Sequence, residues 1–466
     1  MQYSVVNYKT VRENSDFRID AEYFHPSKLN SLRILKNNPI IFLGDYVLSI
    51  KRNETPKDSN IEIYDTGAAS SHILTKNLAQ TEERTSLKRR AKGGDIIISR
   101  LRPYLKQVAY IPTFIDKAYL TTEFFVLRSK DKENISFLTP FLLTEFVQEI
   151  LFWGQGGTQH PRFQEYDLLN LPLTKNIFGL KEILNKIVSK CCKLVLESDH
   201  LYSQAEQFLL SELGLLDWKP KHTLTFIKNF SATQEAERMD AEYFQPKYEE
   251  IIEAVKKYKG GYDELGNLVK IKKGIEPGSE AYQENGVPFV RVSNLSKFEL
   301  STDNQQFISA ELYEELKTHQ PKKGEILLSK DATPGIAYYL NEEPQKMIIS
   351  GGILRLKMDC KYILPEYLTL VLNSIIVQQQ IERDAGGSII NHWRPDQVKA
   401  TLIPNLKEDK QKEIKELIEK SFSDRKLSKS LLEIAKRGVE IAIEKDEQEA
   451  EEWIESEIEK LGVRIQ

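Results

Sequence analysis

The sequence predicts an α+β protein made of two tandem homologous domains, each followed by a long helix. The two helices are expected to pair as an antiparallel coiled coil with pseudo-two-fold symmetry. Three observations lead there: an internal repeat runs through the chain, each copy opens with short strand patterns, and each copy closes on a long helical seam. The 466 residues suffice for roughly two to four domains at about 100–200 residues each.

The repeat is plain in the motifs. Arg18-Ile-Asp20-Ala-Glu-Tyr-Phe-His-Pro26 returns as Arg238-Met-Asp240-Ala-Glu-Tyr-Phe-Gln-Pro246, identical at seven of nine positions and offset by 220. Further matches keep the same order. Leu43-Gly44 answers Leu265-Gly266, Gly94-Asp95-Ile-Ile-Ile-Ser99-Arg100 answers Gly324-Glu325-Ile-Leu-Leu-Ser329-Lys330, and Gly156-Gly157-Thr158 answers Gly386-Gly387-Ser388. Leu171-Pro172 then answers Ile403-Pro404, by which point the offset has grown to 232, so the second copy carries loop insertions.

Within each copy the elements follow in order. Asp95–Ser99 and Glu325–Ser329 are short Ile/Leu runs behind a glycine and suit buried strands. Gly286–Ser293 alternates and reads as a turn entering a strand. Pro140–Ile150 and Pro365–Ile381 read as helices, each with a proline near its first turn. Leu180, Leu184, Ile187, Cys191, Leu194, Leu201, Ala205 and Phe208 then fall at steps of three and four. Only Ser198 interrupts them, and Gly214 ends the run. Ile414, Ile418, Phe422, Leu432, Ala435, Val439 and Ala442 form the looser second seam. A seam this long is the mark of helices paired along their length. Leu184, Ile187, Leu194 and Leu201 are expected to face Ile414, Ile418, Leu432 and Val439.

Composition excludes several classes. Charged residues are 29% and hydrophobic residues 40%, which fits a globular chain rather than a disordered one. The net charge of −4 conceals a tail: nine acids against two lysines between Glu444 and Lys460 give −7 there, leaving +3 elsewhere. Three cysteines, two of them adjacent, make neither a disulfide framework nor a four-thiolate site, and they fit a reducing compartment. No apolar run reaches the ~20 residues that a membrane helix needs. Met1–Thr10 lacks the basic-then-apolar pattern of a signal peptide. A cytoplasmic chain without membrane contact is expected.

Catalytic signatures are missing from the sequence. It has no phosphate loop, no dinucleotide fingerprint, no nucleophile elbow and no His-x-x-x-His, so no catalytic residue and no metal ligand is assigned. Cys191 and Cys192 lie within the seam and read as buried apolar residues. Pro395-Asp396 with Glu408-Asp409-Lys410 fits the loose carboxylate–lysine pattern of metal-dependent nucleases. That motif needs its carboxylates on adjacent strands, whereas Lys407–Lys420 reads as a helix start with acids in its first turn.

The loops remain as candidates. Thr158-Gln159-His160-Pro-Arg162-Phe163 follows one Gly-Gly pair, and Ser388-Ile-Ile-Asn391-His392-Trp393-Arg394 follows the other. Each combines His, Arg, an amide and an aromatic, side chains that bond base edges or phosphates. Arg100-Leu-Arg102-Pro-Tyr104-Leu-Lys106 adds a cation cluster, with Lys330 at the equivalent point of the second copy. Arg291-Val-Ser293-Asn294 closes another strand. These residues are the candidate DNA-binding set because the same chemistry recurs at corresponding points.

With these motifs in hand, the chain resembles the DNA-specificity (S) subunit of type I restriction–modification enzymes over essentially its whole length. The resemblance rests on the duplicated Asp-Ala-Glu-Tyr-Phe-x-Pro, the duplicated Gly-acid-strand-Ser-cation motif, the Gly-Gly-Thr/Ser turns and Val287-Pro-Phe-Val-Arg-Val-Ser-Asn-Leu295. It implies target-recognition domains at 1–175 and 218–406 and helical spacers at 176–217 and 407–466, the last with the acidic tail. It also implies a non-catalytic subunit that reads a bipartite, asymmetric target in double-stranded DNA. Its partners would be methyltransferase (modification) subunits and a restriction/translocase subunit, with S-adenosylmethionine, ATP and Mg²⁺ on those partners and none in this chain. The Pro-rich string common after the family's helices is absent here; Leu171-Pro-Leu-Thr and Ile403-Pro-Asn-Leu stand in its place. Three rival readings stay open: a specificity module for another nuclease–methyltransferase system, a nuclease acting through Asp396 and Lys410, and a scaffold or DNA mimic using the acidic tail.

Overall fold

The computed structural model describes residues 4–12, 18–37, 39–56, 63–75, 86–302, 304–385 and 391–465. The chain divides into two compact units, Met1–Asp199 with Asp424–Gln466, and His200–Ser423. This division differs from the expected one, since neither long helix forms a module by itself. Lys181–Glu212 and Glu408–Glu444 each give part of their length to both units.

The first unit holds an antiparallel four-stranded sheet in the order Val47–Ser49, Phe124–Ser129, Ile96–Ser99, Val108–Tyr110. A second sheet runs Asn53–Glu54, Lys88–Ala91, Ala118–Leu120, Ile63–Tyr64. Pro39–Phe42 pairs with Pro172–Thr174. Ile96 and Ile98 join a core with Phe125 and Leu127, while Ile97 faces the other way, toward Phe124 and Val126. The continuous Ile run is therefore a strand buried on both faces. Gly94 turns the chain into this strand at φ +88°, a conformation that favours glycine, and Gly324 does the same at +87° in the second copy.

The second unit repeats the four-stranded order with Val269–Lys273, Ile353–Met358, Glu325–Ser329 and Ala337–Tyr339. Gln306–Ile308, Val287–Val290 and Ile348–Ile349 form its second sheet, and Tyr262–Glu264 pairs with Leu402–Pro404.

The repeated motifs are structural fasteners. Asp95 takes two bonds from Arg128, at 2.7 and 2.6 Å, and also accepts the Lys92 N–H. Glu325 takes two from Arg355, at 2.8 and 2.9 Å, and accepts the Lys322 N–H. Asp20 accepts from Arg18 and the Tyr23 N–H, as Asp240 does from Arg238 and the Tyr243 N–H. In the first unit Tyr23 and Lys28 further donate to buried Asp167, at 2.8 and 3.1 Å.

Each helix expected as one piece is two. Leu138–Leu143 and Glu145–Gly154 meet at Thr144, and Pro365–Asn373 and Ile375–Asp384 meet at Ser374. Both junction residues have extended ψ and turn their hydroxyl back to a carbonyl three residues earlier, at 2.7 Å. A side chain that bonds local backbone competes with the helix at that point.

In the first unit Leu184, Ile187 and Leu194 lie in one core with Leu432, Ala435 and Val439. Cys191 and Ser428 exchange side-chain-to-carbonyl bonds at 3.4 Å. Burial pushes the Cys191 and Cys192 thiols up to about 12, which leaves them unreactive. In the second unit Tyr202, Ala205 and Leu209 lie in one core with Ile414 and Ile418, and Leu201 is buried. Gly214, at φ +69°, closes the first long helix with a Leu215 N–H to Leu210 carbonyl bond of 2.8 Å.

The acidic stretch is a folded helix, Glu447–Lys460, rather than a tail. Asp446 caps it by accepting the Glu449 N–H at 2.9 Å. Ala450, Ile454 and Ile458 enter the first unit's core. Gly438 makes this possible, because a Cβ there would run into the Ile454 side chain. Among the described residues no helix is long and apolar enough to cross a membrane.

Candidate nucleic-acid interface

In the first unit two loops that are far apart in sequence lie side by side. Arg100 N–H donates to the Glu123 carbonyl at 3.0 Å, Phe163 N–H to the Arg100 carbonyl at 3.2 Å and Arg102 N–H to the Pro161 carbonyl at 2.8 Å. These backbone bonds bring two cations onto one carboxylate. Arg162 donates to Glu123 at 2.9 and 2.8 Å, and Arg100 donates to the same carboxylate at 3.1 Å. The Arg162 bonds are the main reason that the Glu123 carboxyl sits below its usual range. Two guanidiniums against one carboxylate leave a net charge of +1.

Around this centre the surface is polar and cationic. Thr158, Gln159 and His160 are exposed. Arg102 and Lys106 flank the turn Pro103–Leu105 with φ of 50° and 51°, left-handed values uncommon for such side chains. Lys106 and Tyr104 are exposed and Arg102 is half-buried, with no side-chain partner for Arg102 or Lys106 among the described residues. Arg89, not assigned from the sequence, also stands here. It donates to the Phe124 carbonyl at 3.0 Å, and burial, with the Arg100 charge nearby, pulls its pKa down. The run Lys88-Arg89-Arg90 was the signal available for it.

The second unit rebuilds the arrangement with different side chains. Lys330 N–H donates to the Gly352 carbonyl and Trp393 N–H to the Lys330 carbonyl, both at 2.9 Å, the same backbone pattern as Arg100 and Phe163. Gly352 stands where the first copy has Glu123. The carboxylate comes instead from Asp331, which pairs with Lys330 and takes a 2.8 Å contact from His392 Nδ1. Burial opposes the Asp331 charge, but these two partners prevail and hold its carboxyl below the usual range. Beside it is a cavity of about 280 Å³ lined by Glu276, Arg291, Ser293, Asp331, Ser350 and Gly352 among others. Arg291 donates to the Asn304 carbonyl at 2.7 Å. Its Nε is buried without a partner among the described residues.

Two candidate residues are corrected by their placement. Asn294 is buried, with its Oδ1 accepting the Arg291 N–H and its Nδ2 donating to the Ser301 carbonyl, so it builds a turn. Trp393 is 1% exposed and belongs to the second core, as Phe163 does in the first; an indole at this register points inward. Ser293 and Arg394 are exposed, with Arg394 3.4 Å from Asp396. Ser388 lies outside the described residues, as does the side chain of Asn391, whose backbone pairs with Ala332.

The nuclease-like string is not assembled. Asp396 is on the helix Pro395–Lys399, and Lys410, on the long helix, is paired with Glu212. Among the described residues no group of three metal-ligating side chains converges.

No protein-family model and no curated protein matches the chain. It is similar to solved structures at low identity. One comes from work on complex assembly and conformational transition of the type I R-M system: 18% identity, 87% of this chain and 97% of that one covered, TM-score 0.31. Another is the HsdS subunit from Thermoanaerobacter tengcongensis, at 16% identity, 87% and 96% coverage and TM-score 0.30. A third is the type I restriction–modification S subunit from M. genitalium, at 15%, 91% and 97%, and 0.32. The chain is thus similar, over most of its length, to S subunits of type I restriction–modification systems.

Proposed function

We propose that this chain is the sequence-reading subunit of a type I restriction–modification complex, without catalysis of its own. The observation that carries the reading is the duplicated centre: Arg100 and Arg162 on Glu123, and Lys330 and His392 on Asp331, each set by the same backbone bonds. Cations placed this way bond phosphates, and the exposed Thr158, Gln159 and His160 beside one of them can read base edges. Because the two copies carry different side chains, they read two different half-sites, and the target is bipartite and asymmetric. The long helices pair antiparallel; the shared cores of Leu184 with Val439 and of Ala205 with Ile414, each within one unit, support this. Methyltransferase and restriction subunits supply the chemistry, with S-adenosylmethionine, ATP and Mg²⁺ bound there.

The test is to express the chain with a type I methyltransferase subunit and map modified bases across a genome. Two short motifs separated by unread base pairs are expected. A single contiguous palindrome would overturn the reading. Sequence-selective binding without any type I partner would favour service to another nuclease–methyltransferase system.

A further inference from the structure

Two expected DNA contacts of the second unit are turned inward, Asn294 into its own turn and Trp393 into the core. Another side chain lines the open cavity there. The cavity of about 280 Å³ beside Asp331 has exposed Glu276 and half-buried Arg291 among its lining residues. The backbone fixes both. Ile275 N–H donates to the Ile349 carbonyl at 3.1 Å and Ser350 N–H to the Val290 carbonyl at 2.8 Å, so the segments carrying Glu276, Gly351–Gly352 and Arg291 lie side by side. Glu276 Oε1 then accepts the Gly351 N–H at 2.7 Å. A Cβ on Gly351 would come to 3.0 Å from the Glu276 side chain, and one on Gly352 to 2.8 Å from Val292, so the glycine pair keeps the space open.

The corresponding acid of the first copy has no such freedom. At the offset of 222 that relates Leu43-Gly44 to Leu265-Gly266, Glu276 answers Glu54. Arg52 and Arg90 pair with Glu54 at 2.8 and 3.2 Å, and the Tyr119 hydroxyl donates to it at 3.1 Å. Gly274 stands at the position of Arg52, and no cation pairs with Glu276 among the described residues. An unpaired carboxylate beside a phosphate-binding centre repels DNA unless a base donates to it. On the major-groove edge cytosine offers an amine alone, whereas adenine sets an acceptor nitrogen beside its amine, which a carboxylate would repel. The guanine of the same pair presents two acceptors, which suit a guanidinium. Arg291 is anchored on the Asn304 carbonyl at 2.7 Å, and its Nε is buried without a partner among the described residues.

We propose that Glu276 selects a cytosine in the half-site of the second unit by accepting from its amine, with Arg291 on the paired guanine. The proposal rests on the DNA-reading role and deepens it, naming one base pair and the side chain that chooses it.

The experiment expresses the full chain with a type I methyltransferase subunit and maps modified sites for the parent, Glu276→Gln and Glu54→Gln. One parent half-site should hold an invariant cytosine. Glu276→Gln keeps an oxygen for the Gly351 N–H and removes the charge, so preference for that cytosine should fall by roughly tenfold while every other position stays. Glu54→Gln should return the parent motif. A binding measurement on the parent complex needs no variant to fold. Each cytosine of its target duplex is replaced in turn by N4-methylcytosine, which still pairs with guanine but loses its groove donor. One replacement should weaken binding by about tenfold. Half-sites without a C·G pair, an unchanged motif in Glu276→Gln, relaxation spread over all positions, or equal tolerance of N4-methylcytosine everywhere would each overturn the inference. A bipartite parent motif persists under all of these outcomes, whereas its loss is failure of the proposed function itself.

Discussion

Replacing Glu123 with Gln tests whether the Arg100–Arg162 centre faces DNA. The carboxylate takes three bonds from the two guanidiniums, at 3.1, 2.9 and 2.8 Å, and is about one-fifth exposed. The neutral amide keeps the shape and removes the charge, so the centre goes from +1 to +2. If the centre meets phosphate, one more counterion is released on binding, and the slope of log K against log salt steepens by about 0.9. The variant should then bind random-sequence duplex more tightly than the parent. The ratio of the two affinities should fall by about 3.5-fold between about 50 and 200 mM salt. Fluorescence anisotropy across a salt series reads both quantities. A weaker variant with an unchanged slope would refute the reasoning, because Glu123 would then be a direct reader, accepting from a base amine, or a support that the fold needs.

Three further outcomes are expected. Arg355→Met leaves the Glu325 carboxylate buried without its partner and should cost about 3–5 kcal/mol, most of it recovered by adding Glu325→Leu; a denaturant midpoint that barely moves in the single variant would contradict the burial of both side chains. Asp20 and Asp240 are held below the usual aspartate range chiefly by the bonds from Arg18 and Arg238. Such groups stabilise the fold above the unfolded-state value and lose that contribution as pH falls through the folded one, so stability should hold down to about pH 5 and decline below about pH 4; a midpoint that rises on acidification over that window would reverse the sign. Gln159→Ala should relax base choice at one position, by about 1–3 kcal/mol for a lost paired contact, with the salt slope unchanged; a binding-site selection experiment that returns the parent motif would remove Gln159 from the reading surface.

The duplication, the central strands and the buried faces of both long helices were legible in the sequence because they are local or periodic. A Gly-acid-Ile-Ile-Ile-Ser string reads the same wherever it occurs, and a 3-4 spacing puts one face inward whatever covers it. Leu184, Ile187, Ile414 and Val439 needed no partner to be recognised as buried. The loops that bear the cations could be found the same way, by their recurrence.

What the sequence could not decide depends on who meets whom. Arg162 reads as a free cation until the fold brings it, from 39 residues away, onto Glu123. Trp393 reads as a DNA-contacting aromatic, yet its backbone bond to Lys330 turns the indole into the core. Asn294 offers an amide to any ligand, and its own turn consumes it. The acidic stretch shows its charge before its three buried apolar residues, and only the space above Gly438 makes it a helix of the core. Periodicity and motif are written in the chain one residue at a time, whereas the partner of a charge and the occupant of a space are properties of residues distant in sequence, and the tertiary structure alone sets them.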